Sequence, residues 1–282
     1  NIFTEWWGKI TGQATSSTSS LNITVGNAAP TIPTVNASAS YSPTEATFTT
    51  ITINFTARDT DGEGNLNDST AQARFNKSGE TTRSNTSCLT LGSGTGQIQN
   101  YTCSIDMWYF DGTGAWTINV TIQDISAAKG ENSSTTFTYN SLLAMVISPA
   151  SLTWPTVGAS DANTHSNSNL TINNTGNDID LGVNVTARDL RGETDNTRYI
   201  FSNNFTVNNI TQVTCSLVEM LNVTAKNITN ATLQRGNTSL NFKNATSGQE
   251  ELAFCLKGIP GNATAQSYST AAFGAWTIET IT

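Results

Sequence analysis

The sequence predicts an all-β protein: two tandem immunoglobulin-like β-sandwich domains preceded by an extended N-terminal strand arm. Three observations carry this. Apolar and polar residues alternate with a period of two: in TITINFTAR (50–58) Ile51, Ile53, Phe55 and Ala57 fall on one side, and Thr52, Asn54, Thr56 and Arg58 on the other. In AWTINVTIQ (115–123) Trp116, Ile118, Val120 and Ile122 face in, while Thr117, Asn119, Thr121 and Gln123 face out. Second, Thr (48), Asn (32) and Ser (28) dominate the 282 residues, a mixture that suits strands and the turns between them. Third, the chain repeats itself. INFTARDTDGEGN (53–65) returns as VNVTARDLRGETDN (183–196), and GAWTINVTI (114–122) as GAWTIETIT (274–282). One module therefore occurs twice, with 60 residues from Asn54 to Gly114 and 90 from Asn184 to Gly274. Short strands in units of roughly 100 to 140 residues match antiparallel sandwiches.

The arm covers residues 1–27. Read as a strand, it places Ile2, Trp6 and Ile10 on one face and Trp7 on the other. TSSTSS (15–20) is a polar spacer, after which Leu21, Ile23 and Val25 are expected to face in, and Asn22 and Thr24 out. A 13-residue strand, 2–14, spans about 43 Å and is marginal alone. Added to an open sheet edge it would satisfy its backbone and bury its apolar face. Two hosts are open: a neighbouring subunit, with 21–25 pairing on the chain's own first domain, or the chain itself. The spacer and the length favour the neighbour. The first domain runs over 28–140, where Pro30 and Pro33 mark an edge strand. The second runs over 141–282. The join SLLAMVISP is apolar and reads as a tight seam.

Composition narrows the function. Charged residues are only 12 % and the net charge is −8, so no basic patch exists for nucleic acid or an anionic membrane. The longest apolar run, LLAMVI (142–147), is far short of the roughly 20 residues a membrane span needs. The start at Asn1 suggests a signal peptide already removed.

The sequon N-x-[ST] occurs twenty times: at Asn22, Asn36, Asn54, Asn67, Asn76, Asn85, Asn100, Asn119, Asn132, Asn169, Asn173, Asn184, Asn204, Asn209, Asn222, Asn227, Asn230, Asn237, Asn244 and Asn262. Chance pairing of these asparagines with Ser and Thr gives roughly nine. In fourteen the middle residue is apolar. On a strand this turns Asn and Thr to solvent and the middle residue inward, so N-linked glycans are expected on outer strand faces. Such glycans imply an extracellular or cell-surface location. The cysteines agree with export. Four cysteines allow three pairings. Proximity favours Cys88–Cys103, about the turn GSGTGQ, and Cys215–Cys255.

Chemistry-bearing patterns are few. In DTDGEGNLND (59–68), Asp59, Asp61, Glu63 and Asn65 mimic the first half of a calcium loop, but position twelve is Thr70. The competing reading is a solvated turn. Trp108, Tyr109, Phe110 and Trp116 cluster as either a sugar-stacking platform or the sandwich core. His165, the single histidine, lies in a polar loop with no nucleophile motif beside it, so no catalytic residue and no enzyme activity are expected.

Tandem modules, dense N-x-T strands and a D-x-D-G loop after the second strand are similar to those of archaeal cell-surface and extracellular filament glycoproteins. The resemblance covers residues 28–282 and implies an exported surface protein without catalytic activity. The expected function is a structural, N-glycosylated subunit of an extracellular filament. It would form a homopolymer by donating its N-terminal strand to the next copy. An adhesin or other binding ectodomain, with the aromatic cluster as its site, and a surface-layer subunit are the alternatives.

Overall fold

The computed structural model describes residues 19–210, 214–236 and 248–282. Ile2, Trp6, Trp7 and Ile10, together with the sequons at Asn237 and Asn244, lie outside the described residues. The fold is all-β, and among the described residues the helical pieces are single 3-10 turns. In chain order the first nine strands are β1 Thr31–Asn36, β2 Ser40–Tyr41, β3 Phe48–Arg58, β4 Leu66–Asn76, β5 Arg83–Asn85, β6 Leu89–Thr90, β7 Ile98–Trp108, β8 Gly114–Asp124 and β9 Lys129–Tyr139. They form two sheets, ordered β1-β3-β7-β6 and β2-β9-β8-β4-β5. Between them lies one cluster of buried side chains. Ile51, Ile53 and Phe55 come from β3, Tyr101 from β7, Phe75 from β4, Trp116, Ile118 and Val120 from β8, and Phe137 and Tyr139 from β9. The period-two alternation thus selects the inner faces of facing sheets.

The remaining strands are β10 Met145–Ser148, β11 Ala162–His165, β12 Leu170–Asn174, β13 Leu181–Thr186, β14 Leu190–Gly192, β15 Tyr199–Ile200, β16 Phe205–Asn208, β17 Ala225–Leu233, β18 Gln249–Gly258, β19 Tyr268–Ser269 and β20 Thr277–Ile281. Three sheets result: β10-β12-β18-β11 with β16 also on β18, β17-β13-β20, and β15-β14-β19. A second buried cluster joins them, including Leu170, Ile172, Val183, Val185, Phe205, Val207, Leu252 and Phe254.

The two clusters meet across a polar seam. The Asn177 amide donates to the carbonyls of Asp111 (3.1 Å) and Asn140 (3.0 Å). Thr175 Oγ1 donates to Glu45 (2.6 Å), and the Ala46 N–H to the Thr175 carbonyl. Arg235 bonds both Glu80 (2.5 Å) and the Phe110 carbonyl (3.0 Å). Beside it Arg83 holds Asp111 through both carboxylate oxygens. Gly112 fits here because a Cβ would strike Glu80 and Arg235.

Four expectations are corrected. Residues 21–25 do not pair on the first sandwich: Leu21, Ile23 and Val25 are 84, 79 and 84 % exposed, and among the described residues no strand covers them. The first contacts come at Asn27 and Ala28. Second, the sequence repeat is not a repeat of pairing. In the first copy the two repeated segments lie in opposite sheets, as β3 and β8. In the second they are hydrogen-bonded neighbours, β13 and β20, in register from Gly182↔Ile281 to Thr186↔Thr277. What persists is local: Gly114 and Gly274 both take positive φ, 101° and 88°, as a turn before each GAW strand requires. Third, His165 closes strand β11 against β18 and does not lie in a loop. Fourth, Thr121 is buried, because Gln72 and Glu131 stand directly opposite it on the flanking strands and cover it.

Candidate functional site

Three surfaces stand out as candidate sites: the sequon-bearing faces, the edge at β20 and the exposed aromatic groups. Among the described sequons every asparagine is exposed or half-exposed and none is buried, whereas Asn174, Asn177 and Asn208, which head no sequon, are buried. The middle residue is buried at Phe55, Tyr101, Val120, Leu170, Val185 and Phe205, as alternation predicts. It is exposed at Ile23, Ile210 and Val223. Val223 sits at φ 57°, where the strand pattern is broken. On the outer face of the first sheet the sequons pair reciprocally. Asn54 stands opposite Thr102, and Asn100 opposite Thr56. Thr56 Oγ1 donates to Asn100 Oδ1 (2.7 Å), and Asn36 lies opposite Asn54 on β1. Three acceptor asparagines therefore share one face across three adjacent strands.

The edge at β20 differs from its sequence twin. In β8 the residues Trp116 and Ile118 are 0 % exposed: they lie in the core between the two sheets, in a strand flanked on both sides by β4 and β9. In β20 pairing is on one side only among the described residues, with β13. Trp276 and Ile278 pack on the second cluster but stay only partly buried. Trp276 packs edge-on against Phe205 and donates its indole N–H to the Arg188 carbonyl (2.8 Å). The same GAWTI residues thus meet a closed core in one place and an open edge in the other.

The acidic loop is a clamp. Asp59 is fully buried; its carboxylate accepts the Asp61 backbone N–H (2.8 Å) and the Asn65 amide (3.2 Å). Asp61 accepts the Ala28 N–H (2.9 Å). Asp124, 1 % exposed, accepts the Asn27 amide (2.7 Å) and the N–H groups of Ser126 and Ala128. The Asn27 bond first, and then these backbone donors, hold its pKa below the ordinary carboxylate value. The loop secures the point where the chain enters the first sandwich. Glu63 begins a 3-10 turn, and its side chain lies beside Gly94. Among the described residues no group of three His, Cys, Asp or Glu side chains is arranged to hold a metal ion.

The expected aromatic cluster is mostly core. Trp116 and Tyr109 are 0 % exposed and Phe110 4 %; only Trp108 is partly exposed, edge-on to Phe48. Burial pushes the Tyr109 hydroxyl pKa up to about 12. The accessible rings lie elsewhere. Tyr199 stacks on Phe201 (6.0 Å, 12°) and on Phe273 (6.1 Å, 25°), and the Arg191 guanidinium lies 5.9 Å from the Phe273 ring centre. Sequence reading missed this group. The signal was Y-I-F at 199–201, which puts both rings on the face opposite buried Ile200; Phe273 arrives from a distant loop.

Both disulfides are as proximity suggested. Cys88–Cys103 bridges positions 4.6 Å apart at Cα beside the β6–β7 pairing. Cys215–Cys255 spans 5.5 Å and ties the segment after β16 to β18, with His165 Nε2 3.8 Å from the Cys255 sulfur. Among the described residues no helix is long and apolar enough to cross a membrane. No protein-family model matches the chain, and no characterised protein matches it significantly.

Proposed function

We propose that the protein is an exported, N-glycosylated structural subunit that polymerises into an extracellular filament, each copy donating its N-terminal strand to the next. The observation that carries this reading is the open edge at β20. A strand laid beside it would supply the second flanking strand that β8 has and would pair the backbone edge that no other described strand pairs. The donor would come from the N-terminal arm, with Ile2, Trp6 and Ile10 turned to the acceptor and Trp7 outward. Leu21, Ile23 and Val25, exposed at alternate positions just downstream, support a segment built to be covered by another chain. Because donor and acceptor are different surfaces, the contact is heterologous and propagates head to tail. The surface exposure of the described sequons supports glycans on the outer faces, and the two disulfides suit an oxidising environment.

Two measurements test this. Electron microscopy of the intact chain, set against a truncation starting at Thr15, should show fibres only for the intact chain, with circular dichroism unchanged. Normal fibres from the truncated chain, or flat sheets from the intact one, would count against strand donation. Glycopeptide mass spectrometry should find glycans at Asn54, Asn119, Asn184 and Asn222. Unmodified asparagine at most of these positions would remove the glycoprotein part of the reading.

A further inference from the structure

The face of the small sheet β15-β14-β19 offers an unusual surface. Arg191 stands directly opposite Tyr199 on one side and Ser269 on the other, so these side chains share a face. Phe201, two residues after Tyr199, falls on the same face, and Phe273 reaches it from the loop before β20. Phe201 and Phe273 are 47 and 42 % exposed. Tyr199 is stacked on each of them, its ring plane 12° from that of Phe201 and 25° from that of Phe273. Their surroundings are polar. The Arg191 guanidinium lies over the Phe273 ring, and Arg198 pairs with Asp195 (3.2 Å), both part-exposed, in the turn between β14 and β15.

A protein-binding hot spot would be set in an apolar patch that excludes water. Exposed rings beside a guanidinium and a carboxylate suit a different ligand. An aromatic face is electron-rich and takes up the weakly positive C–H groups on the flat side of a pyranose ring. Arg and Asp nearby offer forked donors and acceptors to the hydroxyls at its rim.

We infer that Tyr199, Phe201 and Phe273, with Arg191 over Phe273, form a saccharide-binding platform whose occupant is an N-linked glycan carried by a second copy of the chain. The source rests on the glycoprotein reading above; the platform itself does not. The chain supplies the ligand at high density, with twenty sequons in 282 residues. A glycan held this way would link copies side by side without any further protein contact.

The experiment is saturation-transfer NMR on the intact, purified chain with two probes: mannopentaose, and the glycans chemically released from the protein. Transfer to the sugar ring C–H protons is expected. Phe201→Ala or Phe273→Ala should weaken binding roughly three- to tenfold each. Phe201→Tyr should retain it, and circular dichroism checks that each variant is folded. Absence of transfer to both probes, or transfer unchanged in both alanine variants, overturns the platform. Binding of mannopentaose but not of the released glycans overturns the second copy as the source. If no glycan can be released, the glycoprotein reading and the source fail together, and mannopentaose alone decides the platform. Loss of chain–chain association in the alanine variants, with no sugar bound by the intact chain, makes the surface a protein contact and overturns the inference.

Discussion

Ile118 and Ile278 occupy the same place in the repeated GAWTI but not the same environment, and this difference can be measured. Ile118 is 0 % exposed in a strand flanked on both sides. Truncating it removes three carbons from a closed core, and Ile118→Ala should lower folding stability by about 2–5 kcal/mol. Ile278 is only partly buried on an edge strand. Part of its cavity is already open to water, so Ile278→Ala should lower the stability of the isolated chain by roughly 1–2 kcal/mol. The remainder of its burial would come only when a donated strand covers β20. Losing about 1 kcal/mol there would raise the concentration needed for fibres about fivefold. The assay pairs urea denaturation of dilute protein with fibre yield by electron microscopy against concentration. If Ile278→Ala destabilises the isolated chain as much as Ile118→Ala does, β20 is not an open edge. If it leaves fibre yield unchanged, β20 is not the acceptor.

Three further outcomes are expected. Arg235→Ala leaves Glu80, 13 % exposed, without its partner at the seam; it should cost about 1–3 kcal/mol and split a single unfolding transition in calorimetry into two, so one unchanged transition would argue that the seam does not couple the two cores. In the chain-entropy model, replacing Cys88 and Cys103 by Ala should cost about 3 kcal/mol and replacing Cys215 and Cys255 about 4, from loops of 15 and 40 residues; denaturant midpoints in the reverse order would contradict this. Because the folded pKa of Asp124 lies below its unfolded value, its contribution is present above the ordinary carboxylate pKa of about 3.9 and is lost as pH falls through the lower folded value. Asp124→Asn should therefore reduce stability at neutral pH and flatten the acid limb of a denaturation–pH curve, and an acid limb as steep as before would rule the group out.

Faces were legible in the sequence, but neighbours were not. Period-two alternation correctly turned Ile51, Ile53, Phe55 and Ala57 inward, because side-chain direction is a local property of a strand. Which strand lies beside which is set by contacts far apart in the chain, so identical residues at 114–118 and 274–278 gave no warning that one strand is central and the other an edge. The aromatic residues show the same limit. Trp108, Tyr109 and Phe110 are neighbours in sequence and read as either a platform or core; the sandwich buries two of them. Phe273 is more than seventy residues from Tyr199 and Phe201, and only the fold brings the three rings together. His165 lies among residues with weak strand preference and is held in a strand by its pairing with β18. The disulfides were legible because each pairing is the shorter closure in its half of the chain.

The distribution of charge bears on how such a subunit would carry load. Only 12 % of residues are charged. Even so, two ion pairs with a carboxylate at most 13 % exposed, Arg83–Asp111 and Arg235–Glu80, lie together where the two buried clusters meet. Withdrawing these carboxylates from water has a cost, seen in the Asp111 pKa, which burial raises despite the opposing pull of Arg83. Well-packed apolar residues could have filled the same space at no such penalty. Ion pairs and the Asn177 bridges instead fix direction, because each donor must meet its acceptor at one angle. In the proposed polymer, tension enters through the N-terminal arm at the Asn27–Asp124 clamp and leaves through β20, which packs on the second cluster. It must cross the seam on the way. A directional polar joint there keeps donor and acceptor ends in a fixed relation, which a head-to-tail polymer needs if its repeat is to be regular.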